Sequence, residues 1–234
     1  MLSSAEMNQM SATSYDQFLD ENRPMPSSHP DTRMIKEVGA DIAAATEKYL
    51  NENGHKHLVN NFDWTFNLVD DETVNAWCMP AGRVVFYTGI LPICQDRDGV
   101  AAVMGHEVAH AVARHGNERM SQQLAIQGAG MTLGTLIQEE PELTQEIAMQ
   151  AFGVGATVGS LAYSRQHESE ADKMGLIFMA IAGYDPREAP KLWERMSALG
   201  GQQSPEFLST HPSHETRITD LNEFMPEALK FYNP

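Results

Sequence analysis

The stretch GVAAVMGHEVAHAVARHG, residues 99–116, decides how the rest of the chain is read. Its Ala, Val and Met pattern is that of a helix buried on all sides. Into this apolar run it sets His106, Glu107 and His110. Burying such polar groups without partners costs about 2–7 kcal/mol each. Hydrogen-bonded core groups are the bland account, and a bound cation is the sharper one. Residues four apart lie one turn apart on the same helix face, so His106 and His110 can each aim a ring nitrogen at one ion. Glu107 stands about 100° around from His106, beside the ion rather than on it. That position suits a base that takes a proton from water. Zinc accepts imidazole and carboxylate ligands and leaves a fourth position for water. His-Glu-x-x-His on a helix is the pattern that carries this chemistry.

A third ligand is required. The stretch SRQHESEAD, residues 164–172, offers His167, Glu168, Glu170 and Asp172. Glu168 and Asp172 are four apart and share a helix face, whereas Glu170 points roughly the opposite way. We assign Glu168 to the metal and Asp172 to the Nδ1 proton of a ligand histidine, whose tautomer it would fix. Alone, such a pair would be a solvated face; the upstream motif changes its reading.

Around these motifs the chain reads as one domain, residues 31–234, preceded by an arm, residues 1–30. A short helix from Ala5 to Leu19 precedes the proline-broken ENRPMPSSHP, and a helix capped by Asp31 runs to Asn51. Three strands follow, in DWTFNLV, VNAWCMP and RVVFYTG, with DDE at 70–72 as a turn. They predict a small, mostly antiparallel sheet with an accessible edge. An extended substrate could pair with that edge at Val84, Val85 and Phe86. After Pro92 the pattern is helical: Arg97 to His115 capped by Asp96, Asn117 to Ile137, Pro141 to Leu161, Ser164 to Ile181, Pro186 to Leu199, and Ser213 to Lys230. Gly99, in the first turn of the motif helix, predicts a softer turn. The Gly-, Ala- and Met-rich segment from Ile126 to Ala162 reads as tight helix packing, with a lid or a membrane-facing patch as alternatives.

Composition narrows the function. The net charge of −16, with 16 Lys and Arg in 234 residues and no basic cluster, argues against nucleic-acid binding. Cys78 and Cys94 lack the spacing of a zinc or redox motif, leaving two free thiols as the simpler reading and a disulfide as the alternative. The opening MLSSAEMNQM has neither a basic start nor an apolar run, and FGVGATVGSLAY, residues 152–163, falls short of the roughly 20 residues that span a bilayer.

HEVAHAVARHG, YSRQHESEADKMG and HPSHETRI, in that order, together with VNAWCMPAGRVVFYTGIL, resemble the HtpX-like and BepA-like zinc metallopeptidases. These form metallopeptidase family forty-eight; the CAAX prenyl proteases and the mitochondrial inner-membrane stress peptidase are relatives. The resemblance covers residues 60 to 225. It implies an α+β, mainly α, zincin-like (gluzincin) fold with the small sheet beside the motif helix. It implies one zinc per chain on His106, His110 and Glu168, with Glu107 as general base. It also implies that HPSHETRI folds over the site. His211 would then be a transition-state donor or an extra ligand that blocks water, and Arg217 would hold that loop or touch substrate. The implied role is endopeptidase action on unfolded or membrane-associated proteins in the periplasm or cell envelope, as a lipoprotein with peripheral membrane association. A zinc-binding, chaperone-like module with little turnover is the alternative.

Overall fold

A computed structural model describes residues 4–199, 206–211 and 216–233. α1 spans Ser4–Glu21 and α2 spans Pro30–Glu52. α2 is capped by His29 rather than Asp31. The His29 ring accepts a hydrogen bond from the Asp31 amide, and Pro30 takes the first helical position, where no amide hydrogen is needed.

The three strands are β1 (Thr65–Val69), β2 (Ala76–Met79) and β3 (Arg83–Tyr87), in the spatial order β1-β3-β2. β3 runs parallel to β1 and antiparallel to β2, so the sheet is mixed rather than mostly antiparallel. This corrects the expected substrate edge. β3 is the middle strand, paired on both sides, and Val84, Val85 and Phe86 are fully buried. The cause lies at DDE, which does not close a hairpin. Asp71 turns the chain by accepting from the Thr73 amide, and its carbonyl accepts from the Gly89 amide, beyond the end of β3. The chain then returns as β2 one position further out, and β3 fills the gap.

Alternation along the strands gives the sheet two apolar faces. Phe66, Leu68, Val84 and Phe86 enter the main core with Ile35, Val38 and Ile42 of α2. Full burial of a side chain such as Phe86 contributes about 1.5–3 kcal/mol. The opposite face, with Trp77, Val85 and Tyr87, is covered by Tyr15 and Phe18 of α1. The Asn67 amide donates to the Tyr15 hydroxyl at 2.9 Å. Thus α1 roofs the sheet instead of standing off from it.

After a short α3 (Leu91–Cys94), α4 spans Arg97–Val112. Asp96 caps it as expected, its carboxylate accepting from the Gly99 amide at 2.9 Å. Gly99 does not mark a soft turn. A Cβ there would lie 2.0 Å from the Cys94 carbonyl oxygen, so the close return of α3 onto α4 admits only glycine. α4 is buried from Gly99 through Ala109. It ends where Arg114 adopts a left-handed conformation, φ 61°, and α5 (His115–Leu136) departs at an angle.

α6 is one unbroken helix, Glu142–Ile181, where the sequence pattern predicted two. No proline interrupts it, and its glycines cost only about 1 kcal/mol each against alanine. Its first half and α5 form a hairpin exposing Leu124, Met131, Leu136, Leu143, Ile147 and Val154. Its second half crosses α4 at Gly105 and Gly175. A Cβ on Gly105 would sit 2.9 Å from the Gly175 carbonyl oxygen, and one on Gly175 2.9 Å from the His106 amide nitrogen. The two backbones therefore touch beside His106.

α7 (Glu188–Ala198), α8 (Glu206–Thr210) and α9 (Arg217–Ala228) close the core. Gly200, Gly201 and residues 212–215 of HPSHETRI, including the expected helix start at Ser213, lie outside the described residues. Both cysteines are free thiols. Among the described residues, no helix is long and apolar enough to cross a membrane.

Candidate metal centre

Two helices and one turn aim side chains at a single point. α4 supplies His106 and His110 one turn apart, α6 supplies Glu168 across the glycine crossing, and His211 follows α8. His211 is held by its amide bonding to the Phe207 carbonyl and by the Phe207 ring, centroids 4.6 Å apart. His106 Nε2 lies 3.1 Å from His110 Nε2, 3.2 Å from His211 Nδ1 and 3.3 Å from Glu168 Oε2. Glu168 Oε1 lies 3.4 Å from His110 Nε2, and Glu168 Oε2 lies 3.3 Å from His211 Nδ1.

These separations test whether a cation fits. A tetrahedral zinc with bonds near 2.0–2.1 Å has ligand–ligand edges of about 3.3 Å. Four of these distances, 3.1 to 3.3 Å among His106 Nε2, His110 Nε2, His211 Nδ1 and Glu168 Oε2, meet that condition; the fifth reaches His110 from the other carboxylate oxygen, Oε1, and the donor atoms of all four residues lie within 4.8 Å of one another. Charge agrees with geometry. Glu107, Glu168 and Asp172 are buried carboxylates faced by one buried guanidinium, Arg217, and a divalent cation brings the fixed charge to zero. Glu107 Oε1, moreover, is buried and makes no hydrogen bond among the described residues, with His211 Nε2 3.3 Å away as its ionisable neighbour. Zinc is the cofactor this donor set suits.

Behind the donors, Asp172 Oδ1 lies 3.0 Å from His106 Nδ1, where a carboxylate fixes the tautomer that frees Nε2. Arg217 donates to Asp172 at 2.6 Å and to Glu168 at 3.3 Å, and its guanidinium carbon lies 3.3 Å from the Trp193 ring centroid. Arg217 is 0 % exposed. In this arrangement it meets the two carboxylates from behind. Burial alone would raise the Glu168 carboxyl, but bonds to His106, His110 and His211 outweigh it and hold the group far below the ordinary range. Glu107 moves the other way. Burial raises it, and the neighbouring His211 and His106 only partly offset this.

The cleft before the donors is lined by Trp77 and Cys78 of β2, Glu107, His115, Arg119 and His167. The strand beside the site is thus β2, an outer strand of the sheet, and not β3.

Residues 36–225 match peptidase family M48. The chain belongs to that family. Among its relatives are two proteins named mitochondrial metalloendopeptidase OMA1. The one from Schizosaccharomyces pombe is 34% identical over 223 residues, covering 94% of this chain and 61% of the relative. The one from Saccharomyces cerevisiae is 33% identical over 216 residues, covering 89% and 60%. The beta-barrel assembly-enhancing protease of Escherichia coli is 27% identical over 174 residues, covering 70% and 36%. This chain thus spans about three fifths of the yeast proteins' length.

Sequence reasoning about this M48 site missed two residues, Trp193 and His115. Trp193 leaves no local signal, because its role depends on the guanidinium that reaches it from α9. His115 stands five residues after His110, which on a continuous helix would place it on another face. The left-handed Arg114 swings it back.

Proposed function

We propose that this chain is a zinc endopeptidase acting on unfolded or misassembled protein, and that His211 blocks it at rest. His106, His110 and Glu168 would hold the ion, with His211 as a fourth donor. Zinc, when bound, polarises a peptide carbonyl and acidifies water. Glu107 is the proton carrier: its buried carboxylate accepts a proton from the attacking water and returns it to the leaving amine nitrogen. The raised pKa of Glu107 suits both steps. Asp172 and Arg217 act behind the donors, one orienting His106 and the other neutralising excess negative charge. His211 turns Nδ1 to the donors and Nε2 to within 3.3 Å of Glu107 Oε1. One ring therefore fills the gap through which a peptide carbonyl must enter, and it has to swing out before catalysis.

Support for an extended substrate comes from β2, whose outer edge borders the cleft and can take a strand by main-chain pairing. Such pairing reads the backbone, which suits unfolded clients. The setting we propose is the bacterial periplasm or envelope; the E. coli relative is named for β-barrel assembly, and the names of the yeast relatives place those proteins in mitochondria. Peripheral membrane association rests on the apolar α5–α6 hairpin. We take residues 31–234 as one catalytic unit and residues 1–30 as an arm that braces the sheet.

The observation carrying this reading is the convergence of four donors within 4.8 Å of one another with Glu107 beside them. Glu107→Gln should retain stoichiometric zinc by elemental analysis and lose cleavage of casein. Cleavage by that variant at the wild-type rate would refute the mechanism. A second reading, a zinc-binding chaperone-like module, is favoured by one feature: four protein donors close the coordination sphere. His211→Ala separates the two, since a blocked peptidase gains turnover and a binding module shows none in either form.

A further inference from the structure

An imidazole that binds a cation has a second nitrogen, and its partner decides which tautomer and ring angle the ligand keeps. The two motif histidines differ in this respect. His106 turns Nδ1 to the Asp172 carboxylate at 3.0 Å. His110 turns Nδ1 to another imidazole, His115 Nδ1, at 2.8 Å. Nε2 of His110 lies among the donors and carries no proton when it binds a cation, so its proton sits on Nδ1 and is donated to His115. His115 accepts on Nδ1 and therefore carries its own proton on Nε2, which lies 3.3 Å from Glu170 Oε2. The His167 ring stacks on His115 with centroids 4.0 Å apart and planes 18° apart. His167 is in turn held by Glu118 at 3.0 Å. His115 is buried, 5 % exposed, with only its edge at the cleft.

We infer that His115 is a positioning residue of the zinc site, fixing the tautomer and rotation of His110 through an imidazole–imidazole hydrogen bond that Glu170 and His167 hold in place. This rests on the zinc reading above. A second cation site built from His115, His167, Glu118 and Glu170 is the competing account, and the geometry disfavours it. The two rings stack and each turns Nε2 to a different carboxylate. Among the described residues, only the His106 group brings three or more such donors within 4.8 Å of one another. A packing role alone is also a poor fit, because an apolar ring would fill that volume without a nitrogen opposite His110.

The test compares His115→Phe, His115→Gln and Glu170→Ala in the full chain. Zinc affinity is measured by competition with a chromogenic chelator, and the ligand field by visible absorption of the cobalt-substituted protein. Phe keeps ring volume and stacking but offers no acceptor, so zinc binding should weaken about 10–100-fold and the cobalt bands should shift. Gln can accept from His110 through Oε1 and should stay within about threefold of wild type. Glu170 is exposed and its loss should leave the fold intact, with zinc binding weakened by a smaller factor of about 3–10. If the Phe variant does not fold, the contrast between the Gln and Glu170 variants decides. Wild-type affinity in the Phe variant, or equal losses in Phe and Gln, overturns the inference alone. A wild-type chain that binds no zinc overturns the zinc reading and this inference together.

Discussion

Gly175→Ala tests the idea that backbone contact sets the distance between the two ligand-bearing helices. The new methyl carbon would stand 2.9 Å from the His106 nitrogen, 3.0 Å from the Gly105 carbonyl carbon and 3.2 Å from the His106 Cα. Carbon contacts settle near 3.5–4.0 Å, so α4 and α6 must part by roughly 0.6 Å. All three atoms are main chain, so no side chain can rotate away. Metal sites tolerate distance errors of about 0.2 Å. The opening therefore exceeds what the donor set can absorb, and Glu168 and Asp172 move away from His106 and His110 together. Helix propensity favours alanine by about 1 kcal/mol, while overpacking costs about 1–3 kcal/mol, so the net loss of stability is small. Zinc affinity should fall by more than tenfold while the melting temperature of the metal-stripped protein changes by only a few degrees. Gly153→Ala, on the same helix with nothing among the described residues within 4 Å of the added carbon, is the control and should leave zinc binding unchanged. If the two variants bind zinc equally well, backbone contact does not set the site.

Arg217→Met should cost about 3–5 kcal/mol in urea denaturation of the metal-stripped protein, because it removes the guanidinium that pairs with both Glu168 and Asp172 in a buried setting; a loss under about 1 kcal/mol would show that His106 alone compensates the carboxylates. In the metal-stripped protein, burial lowers the His106 pKa but Asp172 and Glu168 outweigh it and raise the value to about 9, from an ordinary 6.5. This contribution to stability is fully present below pH 6.5 and is lost as pH rises through 9, so melting temperature should decline across that window, and a flat profile would count against the pairing. Zinc affinity should climb over the same range, since the ion competes with that proton. Leu136→Glu together with Leu143→Glu should reduce co-flotation with phosphatidylethanolamine–phosphatidylglycerol vesicles without altering casein cleavage; unchanged flotation would remove the hairpin from any membrane role.

Much of the site can be read from short-range spacing. His106 with His110, and Glu168 with Asp172, are each four apart, and helix geometry alone puts each pair on one face. The Asp96 cap is equally local. What escaped was set by the chain at a distance. The order β1-β3-β2 depends on where the 70–75 connection lands, which no alternation pattern records. The continuity of α6 through a glycine-rich stretch depends on the absence of a breaker rather than on a positive signal. The burial of Arg217 follows from Trp193 and two carboxylates brought together by packing. His115 turns on the backbone sign of one residue, Arg114, whose side chain gives no hint of it.

The uninterrupted run of α6 ties two ends of the molecule together. At about 1.5 Å per residue its 40 residues reach roughly 60 Å, with apolar side chains in solvent near one end and Glu168 and Asp172 toward the other. No break in the helix lies between them, so a tilt applied at the far tip is carried along one continuous element to the carboxylates. A tag, cross-link or binding partner attached near residue 147 would therefore act as a lever on the donor cluster, and labels placed there to follow the protein would also perturb it.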